Sequence, residues 1–277
     1  MLRALGVIPA RYASTRFPGK PLAPLGNGTL LSAVWHAAMR ARSLARVIVA
    51  TEDRRITEAC AALGAEAMLT SPDHPSGTDR AAEVARRAGD AFEVVLNIQG
   101  DEPLVTGETL DRLVRALDAD PALEMATTAE PVTEAADLFD PGAVKVVRAA
   151  DGRALYFSRS PIPFHRGEAT ALAADFSPAL SHRPGGLSGY LKHQGLYAYR
   201  RATLFRLTQM PPSPLEIDEG LEQLRALQAG IAIRVLDSDF RSIAVDTPAD
   251  LARAARHLAS QEISRWSSRS GPPSTSS

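Results

Sequence analysis

Between residues 1 and 100, short apolar runs rich in β-branched side chains alternate with stretches of helical period, and no other feature of the chain constrains its fold as strongly. Leu5–Ile8, Arg46–Thr51, Glu66–Leu69 and Val94–Ile98 read as strands, and helices are predicted near Leu30–Ala41, Arg54–Leu63 and Thr78–Ala88. Strand, helix and strand repeated in this way imply an α/β fold: a mostly parallel central sheet with helices on both faces, Rossmann-like in outline. Ligands of such sheets bind beyond the carboxyl ends of the strands, so the first segment to inspect is the one after Ile8.

The second half changes character. Ala143–Val147 and Ala154–Ser158 read as two strands about Asp151-Gly152, a dipeptide typical of tight hairpins. A loop-rich stretch follows, Pro161–Gly189. Gly195–Tyr199 then reads as a strand, Leu215–Ala229 as a helix closed by Gly230, Ala232–Leu236 and Ser242–Val245 as strands, and Pro248–Ala259 as the last helix. From Trp266 onward the run of Ser, Pro, Gly and Arg offers too little apolar area to offset its ordering entropy. The expectation is a single domain over residues 1–265, with a hairpin and loop subregion at about 143–200, and a disordered tail at 266–277.

At 45% hydrophobic, 277 residues are ample for a buried core, and a formal net charge of −1 creates no bulk field that points to nucleic acid or membrane. Any anion site must be built locally. The single cysteine, Cys60, excludes an intramolecular disulfide and falls on the apolar side of a helix, which predicts a buried, inert thiol and a reducing compartment. The N-terminal apolar run is too short for a signal peptide or a membrane span, so the cytoplasm is expected.

The first strand leads into residues 9–22, Pro-Ala-Arg-Tyr-Ala-Ser-Thr-Arg-Phe-Pro-Gly-Lys-Pro-Leu, a loop with three cations, two hydroxyls and a glycine. It lacks the glycine spacing of a Walker A loop or a dinucleotide fingerprint. Cations and free backbone N–H groups at a strand end suit a triphosphate, and a solvated basic loop is the equally weighted alternative. Gln99-Gly100-Asp101-Glu102-Pro103 follows the strand at Val94–Ile98. A carboxylate there, with glycine allowing close backbone approach, can hold a hard divalent cation, unless the segment is only an acidic turn. Asp246 is the second such carboxylate, its alternative being a helix N-cap.

In His74-Pro75-Ser76-Gly77-Thr78-Asp79-Arg80, Thr78 is read as a helix cap, with Ser76, Gly77 and Arg80 able to line a nucleotide pocket. Arg159, at the exit of the hairpin, is the side chain suited to bidentate carboxylate capture. His193 and Tyr197 lie four apart in an extended segment and so share a face. For His193 a satisfied structural role is the commoner alternative, as a solvated face is for Glu222 and Gln223.

Taken together, these motifs resemble the CMP-Kdo synthetases (3-deoxy-manno-octulosonate cytidylyltransferases), from about Val7 to about Leu258. Carrying the resemblance are residues 8–16 with 18–22, Ser76-Gly77-Thr78, Gln99-Gly100-Asp101-Glu102-Pro103, Tyr156-Phe157-Ser158-Arg159, the stretch from Lys192-His193 to Tyr199-Arg200, Leu221-Glu222-Gln223-Leu224-Arg225 and Val245-Asp246-Thr247-Pro248. The resemblance implies a nucleotide-diphospho-sugar transferase-like fold that moves CMP from CTP to the anomeric hydroxyl of Kdo for lipopolysaccharide synthesis, in a cytoplasmic homodimer whose interface includes the hairpin. It implies that Arg11, Lys20 and Asp101 carry the chemistry. Ala10, Arg11, Ser14, Lys20, Ser76, Gly77, Thr78 and Gln99 would bind the nucleotide, Asp101 and Asp246 Mg2+, and Arg159, His193, Tyr197, Glu222 and Gln223 the sugar acid. Asp79 and Ala249 stand where the family usually has Glu, and residues 164–191 form a longer stretch than usual. The rival readings are a cytidylyltransferase for another keto sugar acid, such as a sialic acid, whose first loop would carry a Gly-Gly-Ser-Lys type sequence, and a catalytically silent nucleotide-binding protein on the same fold.

Overall fold

The computed structural model describes residues 2–13, 16–164, 187 and 189–269. Its strands are β1 Ala4–Pro9, β2 Pro24–Leu25, β3 Gly28–Thr29, β4 Leu44–Thr51, β5 Ala67–Leu69, β6 Val94–Asn97, β7 Met125–Pro131, β8 Lys145–Arg148, β9 Ala154–Ser158, β10 Leu191–Arg200 and β11 Ile233–Asp237. Its helices are α1 Leu30–Met39, α2 Arg54–Leu63, α3 Gly77–Arg87, α4 Gly107–Ala119, α5 Ala135–Phe139, α6 Arg201–Gln209, α7 Pro214–Glu219, α8 Gln223–Gln228 and α9 Pro248–Arg269.

The main sheet runs in the order β11-β7-β10-β6-β1-β4-β5, with β8 and β9 added beside β10. β1 pairs in parallel with β4 and β6, β4 with β5, and β7 with β11, whereas β10 is antiparallel to both β6 and β7. Alternation along each strand divides the core into two layers. Ile8, Val49, Leu96 and Ala126 meet α1, α2, α4 and α9 on one face, while Val7, Ile48, Val95 and Met125 meet α3, α6 and α8 on the other. Cys60 is buried in the first layer, where desolvation pushes its thiol up to about 11, the inert thiol expected of it.

Helix starts follow capping chemistry. Asp53, Ser76 and Thr106 each accept a backbone N–H in the first turn of α2, α3 and α4, and Thr29 and Ser32 form a reciprocal capping box at α1. The cap of α3 is therefore Ser76, which corrects the expectation for Thr78.

Other expectations are corrected too. Segment 242–245 is not a strand, because its backbone donors find partners outside any ladder: Ser242 N donates to Glu130 Oε1 at 3.1 Å and Val245 N to the Asp101 carbonyl at 2.9 Å. The helix expected over Leu215–Ala229 is two, broken where Gly220 adopts a left-handed φ of 61°. α9 continues to Arg269, past Trp266 where the ordered chain was expected to stop, and residues 270–277 lie outside the described ones. Residues 165–186 and 188, most of the long stretch before β10, also lie outside them. Among the described residues no helix is long and apolar enough to cross a membrane.

One glycine fixes the loop after β6 against the end of β1. A Cβ on Gly100 would lie 2.7 Å from the Pro9 carbonyl oxygen, a backbone atom that cannot turn aside. Gly100→Ala is thus expected to cost about 1–3 kcal/mol of stability through overpacking, read as a lower thermal midpoint. An unchanged midpoint would mean that the two loops have room to separate.

Candidate active site

The loop after β1 is shaped to deliver one ammonium. Ala10 is buried and its N–H still donates to the Ala50 carbonyl of β4 at 2.9 Å. Phe17-Pro18-Gly19-Lys20 then forms a type II turn: Lys20 N donates to Phe17 O at 3.1 Å, proline holds the second position, and Gly19 has φ 72° at the third. Gly19 lies against the Tyr12 ring, which is sandwiched by the Arg55 guanidinium 3.3 Å from its centroid.

From this turn Lys20 Nζ reaches Asp101 Oδ2 at 2.8 Å and Asp246 Oδ1 at 3.3 Å, and Arg16 Nη2 lies 3.2 Å from Asp246 Oδ2. Asp246 is not the cap of α9. That role belongs to Thr247, whose Oγ1 accepts from Asp250 N at 3.3 Å, while Asp250 Oδ2 accepts from Asp246 N at 3.2 Å and Thr247 N at 2.9 Å. The carboxylate of Asp246 is left facing Lys20. Among the described residues no group of three or more His, Cys, Asp or Glu forms a closed metal cage. Two hard carboxylates converging on one point do fit Mg2+, which binds through one or two carboxylates and completes its shell with phosphate oxygens and water.

The remaining nucleotide-side expectations fare unevenly. Arg11 Nη2 donates to the His74 carbonyl at 2.6 Å, and His74 Nε2 lies 2.5 Å from Glu83 Oε2, so Arg11 ties two loops together at their exposed rim. Ser14 lies outside the described residues. Ser76 Oγ donates to Asp79 Oδ2 at 2.7 Å as well as capping α3. Thr78, freed from capping, donates to Glu222 Oε2 at 2.7 Å across 144 residues of sequence. Arg80 corrects the sequence reading: it is wholly buried, paired with Glu52 at 2.8 Å, and lines no ligand space.

A cleft of about 640 Å³ brings together Gly77, Thr78, Gln99, Asp101, His193, Tyr197, Glu222, Gln223 and Asp246. The wall built by β10 depends on an irregularity in that strand. Gln194 and Tyr197 face the consecutive residues Thr128 and Thr127 of β7, so Gly195 and Leu196 are extra. Two extra residues keep the parity, and His193 and Tyr197 share a face with ring centroids 5.4 Å apart. Gly195 itself packs on Gln99, where a Cβ would come within 3.2 Å of Cγ.

Thr127 Oγ1 donates its hydrogen to the Leu196 carbonyl at 2.7 Å, so its contact with His193 Nε2 at 2.9 Å has the imidazole as donor. That assigns the Nε2–H tautomer. Burial holds His193 neutral, its titration pushed down to about 3.

Arg159 is placed differently from the expectation. Its guanidinium donates to the carbonyls of Glu219 at 2.6 Å, Pro141 at 2.7 Å and Gly220 at 3.1 Å. It braces the break between α7 and α8 that presents Glu222 and Gln223, and is not part of the cleft lining.

Sequence reasoning missed the charged network under the cleft. Lys192 Nζ lies 2.9 Å from Glu130 and 3.0 Å from Asp137, and burial pushes the neighbouring Glu102 up to about 8 while it accepts from Ser242 Oγ at 2.5 Å. Lys192 and Glu102 stand inside motifs already singled out, but only their burial marks them.

His193 gives a pH signature. Between its folded value near 3 and the ordinary imidazole value of 6.5, the unfolded chain binds a proton that the folded chain does not, so the stabilisation is complete above 6.5 and is lost as pH falls. The stability difference between wild type and His193→Asn is expected to shrink by about 1.4 kcal/mol per pH unit below 6.5, measured by urea unfolding between pH 7 and 4.5. A gap independent of pH would mean that the folded imidazole titrates normally.

Comparison with known proteins agrees with this geometry. Residues 5–234 match the model of the cytidylyltransferase family. The chain is 48% identical over 256 residues to the 3-deoxy-manno-octulosonate cytidylyltransferase of Halorhodospira halophila, covering 92% of this chain and 96% of that one. It is 45% identical over 252 residues to the protein of the same name from Geobacter sulfurreducens, with 91% and 98% covered. A solved structure of CMP:2-keto-3-deoxy-manno-octonic acid synthetase complexed with CTP superposes with a TM-score of 0.81 at 40% identity, over 94% of this chain and 99% of that one. At 12% identity and a TM-score of 0.58, over 93% of this chain and 99% of the other, 4-diphosphocytidyl-2C-methyl-D-erythritol synthase from Anaerococcus prevotii shares the fold alone. By that family match and these identities over nine-tenths of its length, the chain belongs to the 3-deoxy-manno-octulosonate cytidylyltransferases of the cytidylyltransferase family.

Proposed function

We propose that this protein catalyses transfer of CMP from CTP to the anomeric hydroxyl of Kdo, releasing pyrophosphate, with Mg2+ held by Asp101 and Asp246. The observation that carries the reading is the convergence of Lys20, Asp101 and Asp246, from three distant segments, in contact with the cleft that contains Gln99, His193, Tyr197, Glu222 and Gln223.

The anomeric oxygen attacks the α-phosphorus in line and the pyrophosphate oxygen leaves, so the protein contributes chiefly position and charge. Lys20, fixed by its turn, neutralises the departing phosphates. Arg16, at the cleft, and Arg11, on the same loop after β1, add positive charge. Bound Mg2+ supplies Lewis acidity toward phosphate and hydroxyl oxygens. His193 stays uncharged, with Nε2–H committed to Thr127, and presents Nδ1 as an acceptor for sugar hydroxyls. Glu222 and Gln223, braced from behind by Arg159, offer further polar contacts, and Thr78 links that wall to the nucleotide side.

Exposed apolar side chains at Leu155 on the hairpin, Phe164 beyond it and Ile217 on α7 favour a homodimer through this region. Sedimentation or light scattering tests this, and a monomer at micromolar concentration would overturn it. The reaction draws on CTP, which supports a cytoplasmic location.

The deciding experiment is pyrophosphate release from CTP and Mg2+ with Kdo supplied or omitted, repeated with a sialic acid and with UTP. Release is expected only with CTP and Kdo together, and release with another sugar acid alone would refute the substrate. Asp101→Asn is expected to fold normally by circular dichroism and to lose turnover and Mg2+ binding by calorimetry. Lys20→Ala is expected to lose on the order of 10²-fold in kcat. A Lys20→Ala protein altered only in melting temperature would remove that residue from the chemistry.

A further inference from the structure

The floor of the cleft contains a side chain that the motif assignments leave without a role. Asn97 is the last residue of β6, two positions before Gln99, and only 2% of its surface is exposed. It nevertheless lines the cleft, beside Gly77, Thr78 and Tyr197. In the ladder it stands opposite Tyr197 of β10, and residues paired across adjacent strands project to the same face, so Asn97 and Tyr197 open into the same space. A Cβ on Gly77 would lie 3.8 Å from Asn97 Nδ2, which places the amide under the start of α3.

Asn97 Oδ1 is buried and meets no hydrogen-bond donor among the described residues. Burying an acceptor without a donor costs stability, and a leucine of similar shape would avoid that cost. An amide kept in this state at the floor of a ligand cleft is complete only when a ligand brings the donor. Phosphate oxygens cannot supply it, because they only accept. The donors that remain are the hydroxyls of the sugar acid and, on CTP, the ribose hydroxyls and the cytosine amino group; the pairing with Tyr197, on the strand that also carries His193, favours the sugar acid, and separate CTP kinetics distinguish the two.

We propose that Asn97 binds the acceptor sugar, its Oδ1 accepting a hydrogen bond from one sugar hydroxyl. Resting on the cytidylyltransferase reading, this adds a specificity residue on β6 to the wall built from β10 and α8.

The test uses Asn97→Leu in the full-length protein, assayed by pyrophosphate release with Kdo varied at saturating CTP and with CTP varied at saturating Kdo, alongside thermal unfolding. The expected result is a loss of about tenfold or more in kcat/KM for the sugar, CTP KM within about twofold of wild type, and a melting temperature equal to or above wild type. Among acceptors each lacking one hydroxyl, one should be handled equally by wild type and variant, since its partner is missing in both. Unchanged sugar kinetics in Asn97→Leu, equal losses toward both substrates, or a lower melting temperature with intact kinetics would overturn the proposal. Should the leucine variant not fold, Asn97→Ser carries the same measurements. A wild-type protein inactive with Kdo would instead overturn the functional reading, so the two failures are distinguishable.

Discussion

The Lys20 ammonium, held between Asp101 and Asp246, joins three segments far apart in the sequence: the turn after β1, the loop after β6 and the start of α9. One cation between two carboxylates leaves net negative charge, partly offset by Arg16 at the rim. Such a cluster is not a stability device, since partly exposed ion pairs contribute little and desolvation offsets much of the attraction. Its value lies in preorganisation: charged groups from three segments are already gathered before any ligand arrives, so their ordering is not charged to a reaction there. The Val245 N–H to Asp101 carbonyl bond does the same with backbone, fixing one carboxylate loop against the other.

Behind that tie, buried polar groups do the work that a further strand would do elsewhere. Glu130 accepts from the Ser242 N–H, Glu102 accepts from its hydroxyl, Lys192 approaches its carbonyl, and Gln194 Nε2 donates to Phe240 O at 3.1 Å. Segment 240–246 is thereby held by side chains from the loop after β6 and from β7 and β10, which leaves its own backbone free to bend toward α9. With Glu102 pushed up to about 8, and so largely protonated at neutral pH, the network carries one cation and two carboxylates in close contact instead of three. That reduces the cost of burying it.

The same distinction between apolar burial and polar burial marks what the sequence disclosed. β1, β4, β6 and β9 were legible because each is an apolar or alternating run, and the Asp151-Gly152 turn fixed the hairpin. β7, Met-Ala-Thr-Thr-Ala-Glu-Pro, was not: its buried Thr127, Thr128 and Glu130 look like surface residues until His193, Gln194 and Lys192 are brought beside them. α4 is a different case, since the Thr106 cap and the spacing of Leu110, Leu113, Val114 and Leu117 were present to be read. In the site, Lys20 and Asp101 could be named because loop chemistry at strand ends is local, whereas Asp246 was named at the end of a strand that the structure does not form. The brace made by Arg159 could not, because a guanidinium that binds carbonyls and one that binds a carboxylate read alike in a sequence.

One reversed strand explains how the carboxyl edge of a mostly parallel sheet acquires a second wall. Were every strand between β5 and β11 parallel, their carboxyl ends would share one edge and their amino ends the other, and only one end of each strand could serve the ligand. β10 runs against β6 with Tyr197 opposite Asn97, the final residue of β6, so residues 191–196 extend past the end of β6 into the ligand edge. The amino-terminal half of β10 thus arrives beside Gln99 and Asp101, carrying Lys192, His193 and Gly195 with it. Its two extra residues, Gly195 and Leu196, keep His193 in phase with Tyr197 while letting the backbone close on Gln99. The antiparallel insertion is therefore the step that turns a sheet edge into a cleft with two sides, and the two-residue bulge sets how the second side is aimed.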